Sequence, residues 1–351
     1  MNDSRIFTKT LRWAAACVGI LTVIAIIVVC VHFSNQQKRA EKTDFALNTF
    51  ISVTIYGKDP SAKSGEDRKT NEDLAAEAVK MIHSYEKIFS VTDKDSELYR
   101  LNSGEIGIDE ISEELRHVID TGVLYGNLTD GAFDITIKPV KVLWDFSGDT
   151  ARLPDEKDIS KALTRVDYRK IYARPEVIDA NNSDTDEKRY EIDLGAVAKG
   201  FIADRIKDYL KREGVKSAII NLGGNVLCIG NNPDGSEFRV GLRDPFAGED
   251  AASIIETVTV SDKSVVTSGV YERGFEYNGR WYHHILDPAT GYPVDNGLVS
   301  VSVICDSSET ADVLSTSCFC AGLERGSELI REAGAEAYFV KSDGEIIHVG
   351  K

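Results

Sequence analysis

From residue 186 onward the chain breaks into short runs rich in β-branched and aromatic residues, punctuated by glycine, and this pattern restricts the possible fold more than any other feature. The runs are Arg189–Leu194, Ser217–Leu222, Val226–Ile229, Phe238–Leu242, Ile254–Val260, Val265–Thr267, Trp281–Leu286 and Val299–Ile304. Apolar residues at helical spacing interrupt them at 197–212 and at about 307–321. Earlier, Phe50–Tyr56 alternates like a half-buried strand. Residues 72–88 (Leu74, Ala75, Ala78, Met81, Ile82, Tyr85) and 110–128 (Ile111, Leu115, Val118, Ile119, Leu124) predict amphipathic helices. Strand runs mixed with a few helices argue for an α+β domain of largely antiparallel sheet. Gly57–Thr70 reads as an exposed loop, and the polar Asn181–Lys188 stretch as another, since neither side of it is complete alone. The expected division is residues 1–42 as an anchor and juxtamembrane segment, with Ser34–Thr43 polar, and 43–351 as one domain.

Trp13–Val31 is a run of 19 residues without a charge, flanked by Arg12 and by Lys38-Arg39. That length spans a bilayer core. A cleaved signal peptide is the competing reading, but no small-x-small site closes the run, which ends in Val-Cys-Val-His-Phe. Cys30 follows the bulky Val29 and Cys17 comes too early, so neither suits a lipid-bearing cysteine. The expectation is one uncleaved transmembrane helix in the cell membrane with the domain outside the cytoplasm.

Lysine and arginine number 41 against 57 aspartates and glutamates, a formal charge of −16. Residues 1–42 hold six cations against two carboxylates, so the remainder carries −20. Such a domain repels phosphate backbones, which excludes sequence-general nucleic-acid binding. A tight anionic ligand needs a local or metal-borne positive charge. Cys228, Cys305, Cys318 and Cys320 show no metal spacing; they read as buried free thiols, with a disulfide at Cys305 as the alternative outside the cell.

Common catalytic signatures (GxGxxG, GxxxxGK[ST], HExxH, GxSxG) are absent. Four other clusters carry chemistry. Asp193-Leu-Gly-Ala-Val-Ala-Lys-Gly200 sits where a strand gives way to a helix, offering free backbone N–H groups and Lys199 to an anion, although such corners occur in many folds. Asn221-Leu-Gly-Gly-Asn225 allows close approach of a ligand to backbone, or is a tight hairpin turn. His284-Ile-Leu-Asp-Pro-Ala-Thr-Gly291 is good turn chemistry, preceded by His283 on the same predicted strand, so the two imidazoles should face opposite sides. In Cys305–Cys318, Asp306 and Glu309 form a capping-box pattern, and Asp312 and Thr316 share one helix face. A carboxylate and a hydroxyl one turn apart suit Mg²⁺, or are an ordinary hydrogen-bonded pair.

Together these clusters resemble the ApbE-like flavin transferases. The resemblance runs in order through Ala46-Leu-Asn-Thr-Phe50, Phe89-Ser90, Gly131-Ala-Phe-Asp134, Asp193–Gly200, Asn221–Gly224, Thr267-Ser-Gly-x-Tyr-Glu-Arg273, His284–Pro293 and Ala311-Asp312-x-Leu-x-Thr316. Leu47-Asn48 departs from the methionine and small or acidic residue common there. The resemblance implies a single ApbE-like, T-fold-like domain that takes FAD as substrate with Mg²⁺. It would transfer FMN to a threonine hydroxyl of a partner and release AMP. It implies a cation held by Asp312, Thr316 and the carbonyl of Ala196. Around FAD it implies Leu47, Phe89, Ser90, Asp134, Lys199, Gly224, Ser268, His284 and Ile285. His284 is the candidate base, ring stacking or adenine contact being its other role. The implied partner is an acceptor subunit of a membrane or extracytoplasmic electron-transport flavoprotein. Alternatives of other kinds are a metal-dependent FAD pyrophosphatase releasing FMN and AMP to water, and a membrane-tethered flavin-binding protein without chemistry.

Overall fold

The computed structural model describes residues 39–57, 59, 69–146, 152–172, 190–247 and 253–350. The expected transmembrane segment, most of the Gly57–Thr70 loop and all of Asn181–Lys188 lie outside them. Among the described residues no helix is long and apolar enough to cross a membrane.

An eight-stranded sheet forms the centre, in the order β1 (Arg39–Ala46), β2 (Thr49–Tyr56), β3 (Ala218–Leu222), β4 (Asn225–Ile229), β7 (Ser264–Gly269), β10 (Leu298–Cys305), β11 (Glu336–Lys341) and β12 (Ile346–Val349). Every pairing is antiparallel. Two ribbons stand apart from it: β5 (Phe238–Arg243) with β6 (Ile254–Val260), and β8 (Gly274–Tyr277) with β9 (Arg280–His283). The helices are α1 (Asn71–Phe89), α2 (Glu97–Ser103), α3 (Glu113–Leu128), α4 (Lys138–Trp144), α5 (Glu156–Leu163), α6 (Ala198–Arg212) and α7 (Ser308–Glu332), the last interrupted at Gly322.

The inward residues of β2 and β3 (Ile51, Val53, Ile55, Ala218, Ile220, Leu222) pack against α1, α3 and α6 in one apolar cluster, while Val301, Val303 and Phe339 meet α7 in a second. The opposite face of the sheet is covered by β5 and β6 through Phe238, Leu242, Val258 and Val260. The α+β, mainly antiparallel expectation holds.

Several boundaries differ. Arg39–Thr43, read as the end of a polar juxtamembrane stretch, belongs to the edge strand β1, in register from Arg39↔Tyr56 to Ala46↔Thr49. Only Ala40 and Ala46 of its residues are buried, so its sequence carries almost no alternation. Arg189–Leu194 is not a strand in its described part. Its backbone is held by a side chain, because Asn102 both donates to the Ile192 carbonyl and accepts from the Ile192 N–H. The helix after Cys305 is capped by Ser307, not by Asp306. Asp204 of α6 accepts from the N–H groups of Ser308 and Glu309, and Glu309 turns instead to His117 and Thr121. All four domain cysteines are free, so Cys305 forms no disulfide.

Candidate functional site

At one end of the sheet, hairpin tips and helix ends surround a cavity of about 770 Å³. Leu47–Thr49 come from the β1–β2 turn and Gly223–Asn225 from the β3–β4 turn; the latter is the hairpin, and it also lines the cavity. Thr267 and Ser268 end β7, Phe89 and Ser90 end α1, and Gly195–Lys199 open α6. All twelve residues singled out from the sequence line this one cavity.

The opening of α6 is unusual in where its hydrogen bonds go. Val197 at the N-cap has no side chain that could cap, and the Gly200 N–H goes to Asp312 Oδ2 at 2.9 Å instead of to the Ala196 carbonyl four residues back. No hydrogen bond reaches the Ala196 carbonyl among the described residues, leaving a backbone acceptor without its helical donor. Lys199 Nζ donates to the Gly195 carbonyl at 2.9 Å and lies 3.6 Å from Asp312 Oδ1. One turn along α7, Thr316 Oγ1 is 2.8 Å from Ser268 Oγ, itself 2.8 Å from Ser315 Oγ. Asp312 and Thr316 therefore face the cavity but do not bond to each other.

The two histidines diverge as alternation requires. His283 is buried edge-on against Phe319, its Nε2–H donating to the Val294 carbonyl at 3.1 Å. His284 lines the cavity, and because a carbonyl can only accept, its Nδ1 carries the proton shared with the Arg273 carbonyl at 3.2 Å. Nε2 is thereby left with its lone pair free. Burial by the cavity walls, then Lys141, push the His284 pKa down to about 3, so the ring is neutral at pH 7.

Burial likewise lowers His283 from 6.5 to about 4. A depressed histidine binds its proton more readily in the unfolded chain, so its stabilising effect is full above pH 6.5 and declines as pH falls towards 4. A His283→Leu variant is expected to lose roughly 3 kcal/mol of that acid-side decline, His284 keeping a share of the slope; urea unfolding between pH 7 and 4 checks it.

Asp134 lines the cavity, but its carboxylate is committed elsewhere. Oδ1 accepts from the Thr136 N–H and hydroxyl, and Oδ2 from the Tyr168 N–H. It holds the wall together. Burial drives its pKa up against those hydrogen bonds. Burial also opposes the Asp193 carboxylate, but Lys141, 2.7 Å away, and the Gly195 N–H more than offset it and hold the pKa below the usual range.

Lys141, Arg243, Tyr271, Glu272 and Arg273 line the cavity too, and their contributions were not assigned from the sequence. Lys141 and Arg243 sit in segments without a local signature, and Tyr271-Glu-Arg273 lies within the Thr267–Arg273 motif, whose spacing alone points to no role for them. Glu272 is solvent-exposed in the lining; partial desolvation raises its pKa from the ordinary value, with Lys199 opposing. The lining holds five carboxylates (Glu86, Asp134, Asp193, Glu272, Asp312) against four cations (Lys141, Lys199, Arg243, Arg273). The cavity is formally negative by one and does not by itself welcome a pyrophosphate.

The tip Leu47-Asn48 takes φ of 54° and 57°, a left-handed pair costly for leucine. Glu86 of α1 holds it by accepting the Leu47 N–H at 2.7 Å.

The ApbE family model matches residues 47–339. An FAD:protein FMN transferase of Klebsiella pneumoniae (strain 342) is 36% identical over 282 residues, covering 79% of this chain and 85% of that protein. One of Treponema pallidum (strain Nichols) is 31% identical over 344 residues, covering 94% and 92%. The crystal structure of the ApbE protein of Thermotoga maritima MSB8 superposes with a TM-score of 0.73 at 29% identity, covering 89% of this chain and 97% of that one.

Proposed function

The chain belongs to the ApbE family, and on that premise we propose that it is an FAD:protein FMN transferase, moving FMN from FAD to a threonine hydroxyl of another polypeptide with Mg²⁺ present and releasing AMP. The observation that supports it most is the diverted Gly200 N–H, which leaves the Ala196 carbonyl without a donor in the wall that also holds Asp312 and Thr316. One carboxylate, one hydroxyl and one carbonyl suit Mg²⁺, which takes few protein oxygens and completes its shell with water or phosphate. Among the described residues no group of three or more His, Cys, Asp or Glu could hold a metal, so the donor set favours a cation shared with its ligand. When bound, the cation would add the positive charge that the cavity lacks and favour departure of AMP.

The chain's own groups do the rest. Lys199, in the first turn of α6 and on the cavity wall, receives phosphate oxygens. His284 Nε2 accepts the proton of the attacking hydroxyl. Its low proton affinity in the bare cavity rises beside an anionic ligand, which brings it towards a useful base. The hydroxyl oxygen bonds to the FMN phosphorus as the bond to AMP breaks. His284→Ala is expected to lower the rate far more than it weakens FAD binding; equal small effects, or a loss of affinity alone, would reject the base. The reading as a whole is tested by incubating the full chain with FAD, Mg²⁺ and a threonine-bearing acceptor and weighing the acceptor. FMN and AMP set free without an adduct would favour hydrolysis instead.

Residues 13–31 anchor this domain outside the cytoplasm in our proposal, so that its acceptor is an electron-transport flavoprotein subunit exposed on the same side of the membrane. The uncharged run of 19 residues supports it. Intact-mass analysis of membrane-extracted protein is expected to show the full N-terminus; a mature chain starting near residue 34 would overturn it.

A further inference from the structure

We propose that Phe45, Phe50 and Trp281 form a rim on which the acceptor polypeptide docks, as an extended segment bearing apolar side chains on either side of its hydroxyl. This rests on the transfer reading of the cavity. Phe45 and Phe50 face each other across the β1–β2 ribbon, ring centroids 5.5 Å apart and nearly perpendicular, and are 56% and 81% exposed. The next pair along the ribbon is Ala46↔Thr49, and beyond it comes the tip that lines the cavity. Trp281, 43% exposed on β9, donates its indole N–H to the Val270 carbonyl, one residue before the cavity-lining Tyr271. Arg273, the residue before β8, reaches the Asn48 carbonyl at 3.5 Å, linking the entry to the β8–β9 hairpin with the β1–β2 tip.

None of the three rings lines the cavity, so a nucleotide inside it does not use them. Single exposed apolar residues are commonplace; a T-shaped aromatic pair on a turn held in a costly conformation is a prepared surface. The occupant follows from the chemistry. A hydroxyl that enters this cavity brings its own chain across the rim, and ordering a flexible segment costs entropy that buried aromatic contacts offset. A bilayer seated on these rings would instead compete with a protein acceptor for the same surface.

The test uses the full chain in nanodiscs with two synthetic peptides, each with one central threonine, flanked by leucine and valine or by serine and lysine. Wild type is expected to prefer the apolar peptide by about tenfold in KM, roughly one hot-spot contact's worth. The Phe45→Ser/Phe50→Ser variant, and Trp281→Ala separately, should raise that KM about tenfold and abolish the preference, with kcat, FAD affinity and acceptor-free FAD cleavage within about twofold of wild type. Equal use of both peptides by wild type, or an unchanged KM in the variants, overturns the rim. If neither peptide is modified, anisotropy of the labelled apolar peptide decides: no binding to wild type overturns the rim, whereas failure to bind or cleave FAD counts against the transfer reading instead. Tryptophan emission quenched by brominated lipid, and lost in Trp281→Ala, would put the rim in the bilayer and reject the proposal.

Discussion

Asp312→Asn should lower FMN transfer at saturating FAD by roughly a hundredfold or more while leaving the fold nearly intact. The amide oxygen can still accept the Gly200 N–H, so the junction between α6 and α7 keeps its hydrogen bond. What is lost is one negative charge in a buried position, facing Lys199 at 3.6 Å. Affinity for a divalent cation should fall with it, and raising Mg²⁺ should recover part of the rate. Asp312→Ala is less informative, because it strands the Gly200 N–H and adds about 1–3 kcal/mol of destabilisation to any catalytic loss. Transfer rates against Mg²⁺ concentration, beside melting curves, separate the two effects. Near-normal transfer by Asp312→Asn at low Mg²⁺ would make the residue structural and the cation assignment wrong.

Gly200→Ala is expected to be the most damaging single methyl group that can be added near the site. A Cβ at Gly200 would lie 2.3 Å from the Ser308 carbonyl oxygen, 2.6 Å from Glu309 Cα and 2.7 Å from Asp312 Cβ. Two of these are backbone atoms and the third is fixed to the α7 backbone, so no side chain can swing aside. Relief requires α6 and α7 to separate, at a cost of about 3 kcal/mol and on the order of 5 °C in melting temperature. Asp312 moves with α7, so transfer should fall even where the variant is folded. Thermal unfolding and FAD titration of the same preparation check both; a variant that melts like wild type would show that the two helices do not meet this closely.

What could be read beforehand divides along physical lines. Long periodic segments with an apolar stripe, such as 71–89 and 198–212, declare themselves because burial on one face repeats every helical turn. β1 does not, because an edge strand with Lys42, Asp44 and Glu41 exposed has almost nothing to alternate. The short helices Glu97–Ser103, Lys138–Trp144 and Glu156–Leu163 are too brief for a period to register. For the site, residues inside glycine-marked turns were legible; Lys141, Arg243 and Glu86 were not, because they act through proximity created by the fold. Asp134 shows the converse. Its motif was plain, yet its oxygens serve Thr136 and Tyr168 rather than pointing free into the cavity.

The walls of the cavity come from residue 47 at one extreme and residue 320 at the other, brought together by the sheet and by the contact of α6 with α7. Closing such distant segments is slow, since the loop entropy is lost before the contacts that reward it exist. The pocket therefore comes into being late in folding, and a chain still missing α7 has no place for a flavin nucleotide. Occupancy and global order then become one equilibrium: FAD at a hundredfold excess over its Kd should raise stability by about 2.7 kcal/mol across the whole domain, seen as a single later melting transition rather than the rescue of one loop.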